Sequence, residues 1–281
     1  MRSSRDGRRR GPQLHRRRGT LTAAGRGPRP APGLAIDLGS SGTRAWVLGQ
    51  GLVPCGPAGW DEEAVRPVRR GRIVDAESCA RLLDRVADRA LGEHRRDSVI
   101  VLSHPVLAGP EHRSSARELL AALGPSGVVV LNSAGAAAAC AGSPGRGPVL
   151  VVDMGAELTE VALLVDGAVV DARQADVGLS DFDVLSLSSC VVRHVLGMIA
   201  SMWREDRHGA VRGALRRGPV LTGGGALRSD VTARIADSLG VPVRVDHDPA
   251  TAVVRGAALI LGSALRAPGA HVAYAAPVRP R

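Results

Sequence analysis

An internal repeat constrains the fold of this chain more than any other sequence feature. The segment 37–48 aligns with the segment 153–164, and the two share an Asp, a Gly, a Thr and a final Leu at matching positions. Each copy follows an apolar stretch, which predicts a strand that ends at the Asp and opens into a hairpin. A repeat of this kind indicates two duplicated domains, because solenoids stack three or more short repeats.

The rest of the sequence alternates strands with helices, which predicts an α/β fold with mixed sheets. Apolar runs predict strands over 33–36, 43–48, 98–102, 128–131, 149–153, 160–165, 168–177, 219–222 and 241–245. Periodicity and capping residues predict helices over 76–91, 110–123, 134–141, 181–203 and 249–265, and one that ends near 239. We predict a first domain over 33–147, a second over 148–267, and tails over 1–32 and 268–281.

All 37 basic residues are arginine, and the sequence contains no lysine. Walker phosphate loops and Schiff-base enzymes need a lysine, so both are excluded. The arginine bias, with 35 Gly and 18 Pro, indicates a high-GC bacterial genome. Ten of the arginines and only one acid lie within residues 1–32, so most of the net charge of +10 belongs to this segment.

The 1–32 segment is predicted to be disordered, because it has few apolar side chains to bury. Two interpretations remain open: a tether to an anionic membrane surface or nucleic acid, or the one we favour, a spacer or a start codon assigned too early. The segment lacks the apolar region of a secretory signal. No later stretch of about 18 apolar residues predicts a membrane span.

Cysteine, histidine and aromatic residues argue against several kinds of site. The four cysteines form no C-x-x-C pair and the eight histidines show no metal-ligand spacing, so reduced thiols in the cytoplasm are expected. The five aromatic residues are scattered, whereas a platform for single-stranded nucleic acid needs several on one face. Nucleic acid is therefore not the expected partner.

Three short motifs together point to a nucleotide clamp. A strand that ends in Asp37 or Asp153 presents a carboxylate to hydrated Mg²⁺. The glycine two residues later lets backbone N–H groups approach phosphate oxygens. The turn 222–226 adds a glycine triplet before a helix, whose N-terminus attracts anions. Each motif alone is equally typical of an ordinary turn or loop, and only their combination is specific.

These motifs resemble those of the actin-like ATPases, most closely the bacterial MreB/Mbl rod-shape proteins. Residues 36–43 are similar to the first phosphate motif, 151–155 with 159–161 to the second, and 220–227 to the adenosine motif. Segments 66–75, 177–183, 239–245 and 248–256 resemble further family signatures. The resemblance implies an actin-like (ribonuclease H-like) fold, with two α/β domains around a nucleotide cleft.

The resemblance also implies a ligand and its contacts. ATP or ADP with Mg²⁺ is expected, and Asp37 and Asp153 would hold the metal through water. The nucleotide would contact Asp37, Gly39, Ser40, Ser41, Gly42, Thr43, Asp153, Gly155, Thr159, Gly223, Gly224 and Gly225.

The chain departs from the family pattern in ways that bear on activity. Segments 48–66 and 183–219 are too short for the two small subdomains, which we expect to be largely missing. Ser133 stands where the resemblance places the family's Glu, which orients the attacking water. We therefore assign no catalytic residue. The second phosphate loop reads Ala156-Glu157-Leu158 instead of Gly-Gly-Thr. If Glu157 faced a phosphate at 4 Å, repulsion would cost about 4 kcal/mol at an effective dielectric of 20, but it could equally point outward.

The function implied is that of an MreB-like ATP-binding protein of bacterial cell-shape or cell-wall morphogenesis, with weak or no hydrolysis. The alternatives are a non-hydrolysing pseudo-ATPase used as a binding module, and a chaperone-like or division-type member of the actin superfamily. The partners implied are further copies of the chain, full-length MreB/Mbl-type proteins and the cell-wall synthesis machinery. We expect a cytoplasmic location, and membrane-surface contact through the basic segment 1–32 is the alternative to a spacer.

Overall fold

The computed structural model describes residues 31–55, 66–142, 147–183, 186–206 and 209–266. The predictions for the two tails therefore lie outside the described residues, except for residues 31 and 32. Most of segment 48–66, the predicted site of the first small subdomain, lies outside them as well. Among the described residues, no helix is long and apolar enough to cross a membrane.

The first sheet has five strands in the order β3-β2-β1-β6-β7. Its central strand β1 pairs antiparallel with β2 and parallel with β6, so the hairpin lies on one side and a crossover connection on the other. The strands are β1 (Gly33–Gly39), β2 (Gly42–Val47), β3 (Gly51–Val53), β6 (Val99–His104) and β7 (Gly127–Asn132).

The second sheet has the same plan, with the order β10-β9-β8-β11-β12. Its strand β8 pairs antiparallel with β9 and parallel with β11, as β1 does with β2 and β6. The strands are β8 (Val149–Met154), β9 (Thr159–Val165), β10 (Ala168–Ala175), β11 (Val220–Thr222) and β12 (Arg244–Val245). The predicted repeat is thus the first hairpin of two sheets with equal topology.

A small separate hairpin, β4 (Val68–Arg69) with β5 (Arg72–Ile73), precedes the first helix. The hairpin leads directly into α1, whose apolar face packs on the first sheet, and it therefore belongs to that half of the molecule.

Seven α-helices are described. The first begins where predicted because Asp75 caps it, accepting a hydrogen bond from the Ser78 backbone N–H at 2.9 Å. The helices are α1 (Ala76–Leu91), α2 (Pro110–Ala122), α3 (Ser133–Cys140), α4 (Leu187–Arg204), α5 (Ala210–Arg216), α6 (Ser229–Leu239) and α7 (Ala252–Arg266).

The prediction of one helix over 181–203 is wrong at its N-terminal end. Residues 179–181 form a 3-10 turn, and α4 begins only at Leu187. The Asp181 carboxylate accepts from Gly178 N and from the Arg70 guanidinium, so it does not cap α4. The helix α5 was also not predicted. Between Asp183 and Pro219, the described residues contain two α-helices, α4 and α5, where the sequence predicted one.

Two helices join the halves. Helix α3 packs against β8 of the second sheet, and α7 packs against β1, β2 and β6 of the first sheet. Gly256 in α7 lies so close to α3 that an added Cβ would stand 1.8 Å from the Ala136 carbonyl oxygen. One apolar core therefore includes residues of both sheets, and the two helices place the strand ends of the sheets opposite each other.

Candidate functional site

A cavity of about 310 Å³ lies between the two sheets, at the ends of β1 and β8. Its volume falls at the lower end of the range of roughly 300–1,000 Å³ typical of ligand pockets. The predicted residues that line it are Asp37, Gly39, Ser40, Ser41, Ser133, Asp153, Gly155, Gly223 and Gly224. All three predicted motifs thus meet at one cavity.

Four predicted residues lie beside the cavity rather than in its lining: Gly42, Thr43, Thr159 and Gly225. Thr159 is fully buried, and its hydroxyl donates to the Val177 carbonyl at 2.8 Å. Gly225 is buried against Met154, whose Cβ would stand 2.5 Å from an added Cβ. In this arrangement Thr159 and Gly225 support the walls of the cavity.

Asp37, in β1, is held by two neighbours. The Ser103 hydroxyl donates to Oδ1 of Asp37 at 2.8 Å, and the Arg44 guanidinium lies 3.9 Å from Oδ2. Burial raises the pKa of Asp37 above its ordinary value, against the opposing effects of Ser103 and Arg44. Sequence reasoning missed Ser103 because its place beside Asp37 depends on the pairing of β1 with β6.

Asp153 occupies the matching place in the second sheet, between β9 and β11. Burial, and then the charge of Asp37, raise the pKa of Asp153 to about 7. Gly223 follows β11 with a φ of 81°, and a Cβ there would stand 2.5 Å from Oδ1 of Asp153. Only glycine lets this turn approach the carboxylate so closely.

A third buried acid, Glu160, was not predicted as a site residue. It lies directly opposite Asp153 in the β8–β9 pairing. The Val106 backbone N–H donates to its Oε1 at 2.8 Å, and the Ser133 hydroxyl donates to its Oε2 at 3.1 Å. Burial, and then the Asp153 charge, raise the pKa of Glu160 to about 8. The Thr-Glu pair of the second motif was the available sequence signal.

The sequence left open whether the Glu157 side chain faces a phosphate or points outward, and the structure shows its direction. It lines the cavity, yet its side chain is only 4% exposed and its carboxylate is already bound by arginine. The Arg69 Nε lies 2.9 Å from both of its oxygens, and the Arg70 backbone N–H lies 3.1 Å from Oε2. The carboxylate therefore turns toward the β4–β5 hairpin.

The residues fit a hydrated cation better than a directly ligated one. Mg²⁺ is typically held by one or two carboxylates and keeps several waters, which suits Asp37 and Asp153. Within the described parts of the chain, no group of three or more His, Cys, Asp or Glu side chains is placed to hold a metal ion. A cation between these two acids would also relieve the repulsion that raises the pKa of Asp153.

Comparisons with known sequences agree on one family. The sequence profile of the MreB/Mbl protein family matches residues 56–196, which is half of the chain. The cell shape-determining protein MreB of Escherichia coli (strain K12) is 25% identical over 316 residues, covering 79% of this chain and 91% of the relative. The MreB of Salmonella typhimurium gives the same values. An alignment longer than the 281-residue chain requires segments in these relatives that the chain lacks.

Solved structures agree on the fold. MreB5 of Spiroplasma citri bound to ADP superposes with a TM-score of 0.73 at 18% identity, covering 85% of this chain and 98% of the other. The MamK double helical filament gives 0.70 at 14% identity, covering 82% and 98%. These matches confirm the predicted actin-like α/β fold in a shortened form.

Proposed function

The chain belongs to the MreB/Mbl family, and on that premise we propose that it is a shortened, nucleotide-binding member that acts in bacterial cell shape or cell-wall morphogenesis. The observation that carries the proposal is the placement of Asp37 and Asp153. They stand at equivalent points of two equivalent sheets and line the same cavity. The ligand proposed is ATP or ADP with Mg²⁺.

Each part of the cavity has a role in this proposal. Asp37 and Asp153 hold Mg²⁺ through water, and the metal neutralises phosphate charge. The serine turn of the β1–β2 hairpin and Gly155 offer polar groups to phosphate, and Gly223 and Gly224 border the sugar. The neighbour MreB5 was crystallised with ADP and with AMPPNP, which supports this assignment for the present chain.

Hydrolysis is proposed to be weak or absent. Ser133 supplies a hydroxyl where the family has a carboxylate, and a hydroxyl is a poor group for orienting and polarising water. The Ser133 hydroxyl is also engaged by Glu160. This observation favours a second candidate function, a nucleotide-bound or nucleotide-free pseudo-ATPase that serves as a binding module for other proteins.

Titration with a fluorescent ATP analogue, with and without Mg²⁺, tests the proposal. We expect saturable, Mg²⁺-dependent binding by the full chain, strong weakening in Asp153→Asn, and no change in Asp237→Asn on the exposed face of α6. Equal binding by the wild type and Asp153→Asn would overturn the site assignment. Phosphate release then separates the two candidate functions, because turnover that depends on Asp153 supports the ATPase.

Self-association and partners are part of the same proposal. The chain is proposed to bind further copies of itself or full-length MreB/Mbl proteins in the cytoplasm, together with the cell-wall synthesis machinery. Contact of segment 1–32 with the membrane surface is the alternative to a spacer. Sedimentation with and without ATP is the test for polymers. Failure of the chain to sediment alone, with sedimentation when full-length MreB is added, would assign it an accessory role.

A further inference from the structure

A cluster of four charged residues bridges the two halves of the molecule beside the cavity. Arg69 and Arg70 belong to the β4–β5 hairpin of the first half, and Glu157 and Asp181 belong to the second half. We call these four residues the clasp. The hairpin turn contributes Gly71 to the cavity lining, so the clasp lies at one wall of the proposed nucleotide site.

Glu157 is the central anion of the clasp. Its side chain is 4% exposed, whereas the Arg69 side chain is 54% exposed. Burial opposes its charge, but the Arg70 backbone N–H and the Arg69 guanidinium outweigh this effect and hold the pKa of Glu157 below its ordinary value. The Arg66 guanidinium adds a further cationic group, 3.9 Å from Oε1. The carboxylate is therefore ionised and enclosed by arginine.

Arg70 holds the hairpin to the second half through several contacts at once. Its guanidinium makes a forked pair with Asp181, with distances of 2.7 Å and 3.3 Å, and also donates to the Asp176 carbonyl. Its φ is 47°, in the left-handed region that a residue with a Cβ rarely adopts. Two-residue hairpin turns favour a positive φ at both central residues, and Arg70 and Gly71 form such a turn between β4 and β5.

Two glycines allow the hairpin and the second phosphate loop to approach this closely. At Gly71, with a φ of 71°, an added Cβ would stand 2.6 Å from Pro105 and 2.8 Å from Leu158. At Gly178 it would stand 2.4 Å from the Glu157 backbone nitrogen. Gly71 thus lets the hairpin approach Leu158 of the second half, whereas Gly178 lets the chain before Asp181 pack against the Glu157 loop within the second half.

The charges around the cavity give the clasp a consequence for ligand binding. The acidic residues in its lining are Asp37, Asp153, Glu157 and Glu160, and the only arginine in the described lining is Arg44. The guanidinium groups of the adjoining hairpin, those of Arg69 and Arg70, are engaged by Glu157 and Asp181. Nucleotide phosphates would therefore approach a cavity wall whose arginine side chains are already paired with carboxylates of the protein.

We propose that the clasp holds the two halves together without nucleotide, and that Glu157 acts as an internal anion that keeps Arg69 from the nucleotide phosphates, as Asp181 does for Arg70. The part of this inference that concerns phosphates rests on the proposed function. The closure of the cleft is independent of the proposed function, because it follows from the contacts within the chain. The clasp thus makes closure independent of ligand and sets a low affinity for phosphate.

Amide hydrogen exchange of the nucleotide-free full chain tests closure. Glu157→Gln removes the central charge, and Arg70→Gly removes the guanidinium while relieving the strained φ. Since charged hydrogen bonds are worth more than neutral ones, we expect exchange to rise at least about tenfold in both 67–75 and 154–182 in each variant. Arg228→Ala, which breaks a pair with Asp230 at the start of α6, is the matched control and should leave both segments unchanged.

The two segments decide the outcome together. A rise in both segments supports the clasp. An unchanged rate in both, or a rise confined to the segment that carries the substitution, overturns it. Circular dichroism shows whether each variant is folded, and if one is not, the other variant decides.

Binding of the fluorescent ATP analogue with Mg²⁺ tests the second part of the proposal, the internal-anion role of Glu157. We expect Glu157→Gln to bind about tenfold more tightly than the wild type, because a buried like charge is removed near the phosphates. Equal or weaker binding by Glu157→Gln overturns the internal-anion role. If no variant binds nucleotide while exchange still rises in both segments, the proposed function and the internal-anion role fail, and closure by the clasp stands.

Discussion

The Ser133 hydroxyl donates a hydrogen bond to the Glu160 carboxyl group at 3.1 Å, across the space between the N-terminus of α3 and β9. The other Glu160 oxygen accepts from Val106 N at 2.8 Å. With its pKa raised to about 8 by burial and by Asp153, Glu160 keeps its proton at neutral pH in the nucleotide-free protein. Ser133, at the position that resembles the family's water-orienting carboxylate, therefore lies against a second buried acid, which its hydroxyl contacts but which burial and Asp153 keep from ionising.

Restoring that carboxylate by Ser133→Glu is predicted not to restore hydrolysis. Ser133 is 6% exposed, so the new side chain would place a second acid against Glu160 in a buried site. We expect a loss of a few kcal/mol of stability, since an unpaired buried charge costs about that much. Ser133→Gln, similar in size and uncharged, is the control and should lose less.

The double variant Ser133→Glu/Glu160→Gln removes the competing acid, and it should recover part of the lost stability. Urea unfolding and phosphate release are the measurements. Phosphate release by Ser133→Glu alone at a rate well above that of the wild type would contradict the prediction.

His104 is predicted to make folding stability fall as the pH falls from about 6.5 to 4. Burial lowers its pKa to about 4, and the cationic groups of α2 (His112, Arg113 and Arg117) act in the same direction. Above the unfolded pKa both states are neutral and the stability is complete. Below it the unfolded chain takes up the proton first, and a shift of this size corresponds to roughly 3 kcal/mol.

The variant His104→Asn should lose this pH dependence, because an amide does not take up a proton in this range. Its amide can still donate to the Pro105 carbonyl, which His104 Nδ1 faces at 2.7 Å. Urea unfolding at several pH values measures the difference from the wild type. The exposed His94, replaced by Asn, is the control and should leave the profile unaltered. Parallel profiles for the wild type and His104→Asn would refute the assignment.

Gly256→Ala is predicted to destabilise the protein severely. The added methyl group would meet the Ala136 carbonyl at 1.8 Å, so α3 and α7 must separate. Overpacking of a core typically costs about 1–3 kcal/mol, and the rigid backbone contact puts this site at the upper end. Gly197→Ala in α4 is the matched control. Its Cβ would meet nothing within 4 Å, so the substitution should be neutral or stabilise by up to about 1 kcal/mol. Equal midpoints of thermal unfolding for the two variants would contradict the packing described.

Asp246→Asn is predicted to weaken the loop before α7. Its carboxylate binds the Arg255 guanidinium through two contacts, at 2.7 Å and 3.1 Å, and both side chains are largely buried. That hydrogen-bonded pair lowers the pKa of Asp246 to about 2, so its contribution is complete above pH 3.8 and is lost as the pH falls through 2.

Loss of a charge-assisted pair of this kind costs about 1.5–3 kcal/mol. Glu77→Gln, which breaks a pair in which the Glu77 side chain is 84% exposed, should cause no measurable change. Urea denaturation at pH 7 compares the two, and equal losses would argue against a structural role of Asp246.

Features that depend on residues close together in the sequence were predicted correctly, and features that depend on distant residues were not. The helix α1 begins and ends as predicted, because its apolar stripe and its cap Asp75 lie within the segment itself. The start of α4 was wrong because Asp181 is engaged by Arg70, more than a hundred residues earlier in the chain. Local signals could not show that contact.

The candidate site divides in the same way. Asp37 and Asp153 were predictable because the repeat marks equivalent strand ends. Ser103, Glu160 and the direction of the Glu157 side chain depend on strand pairing and on contact between the halves, so they required the structure.

The exchange of helices between the halves has a practical consequence for anyone who divides this chain. A break after residue 147, at the predicted domain boundary, would separate α7 from the first sheet that it covers and α3 from the second. Each fragment would then expose part of the core shared by both sheets, and neither is expected to be soluble when produced alone. Fragment complementation, with both pieces synthesised in the same cell, is the form in which a divided version of this protein should survive.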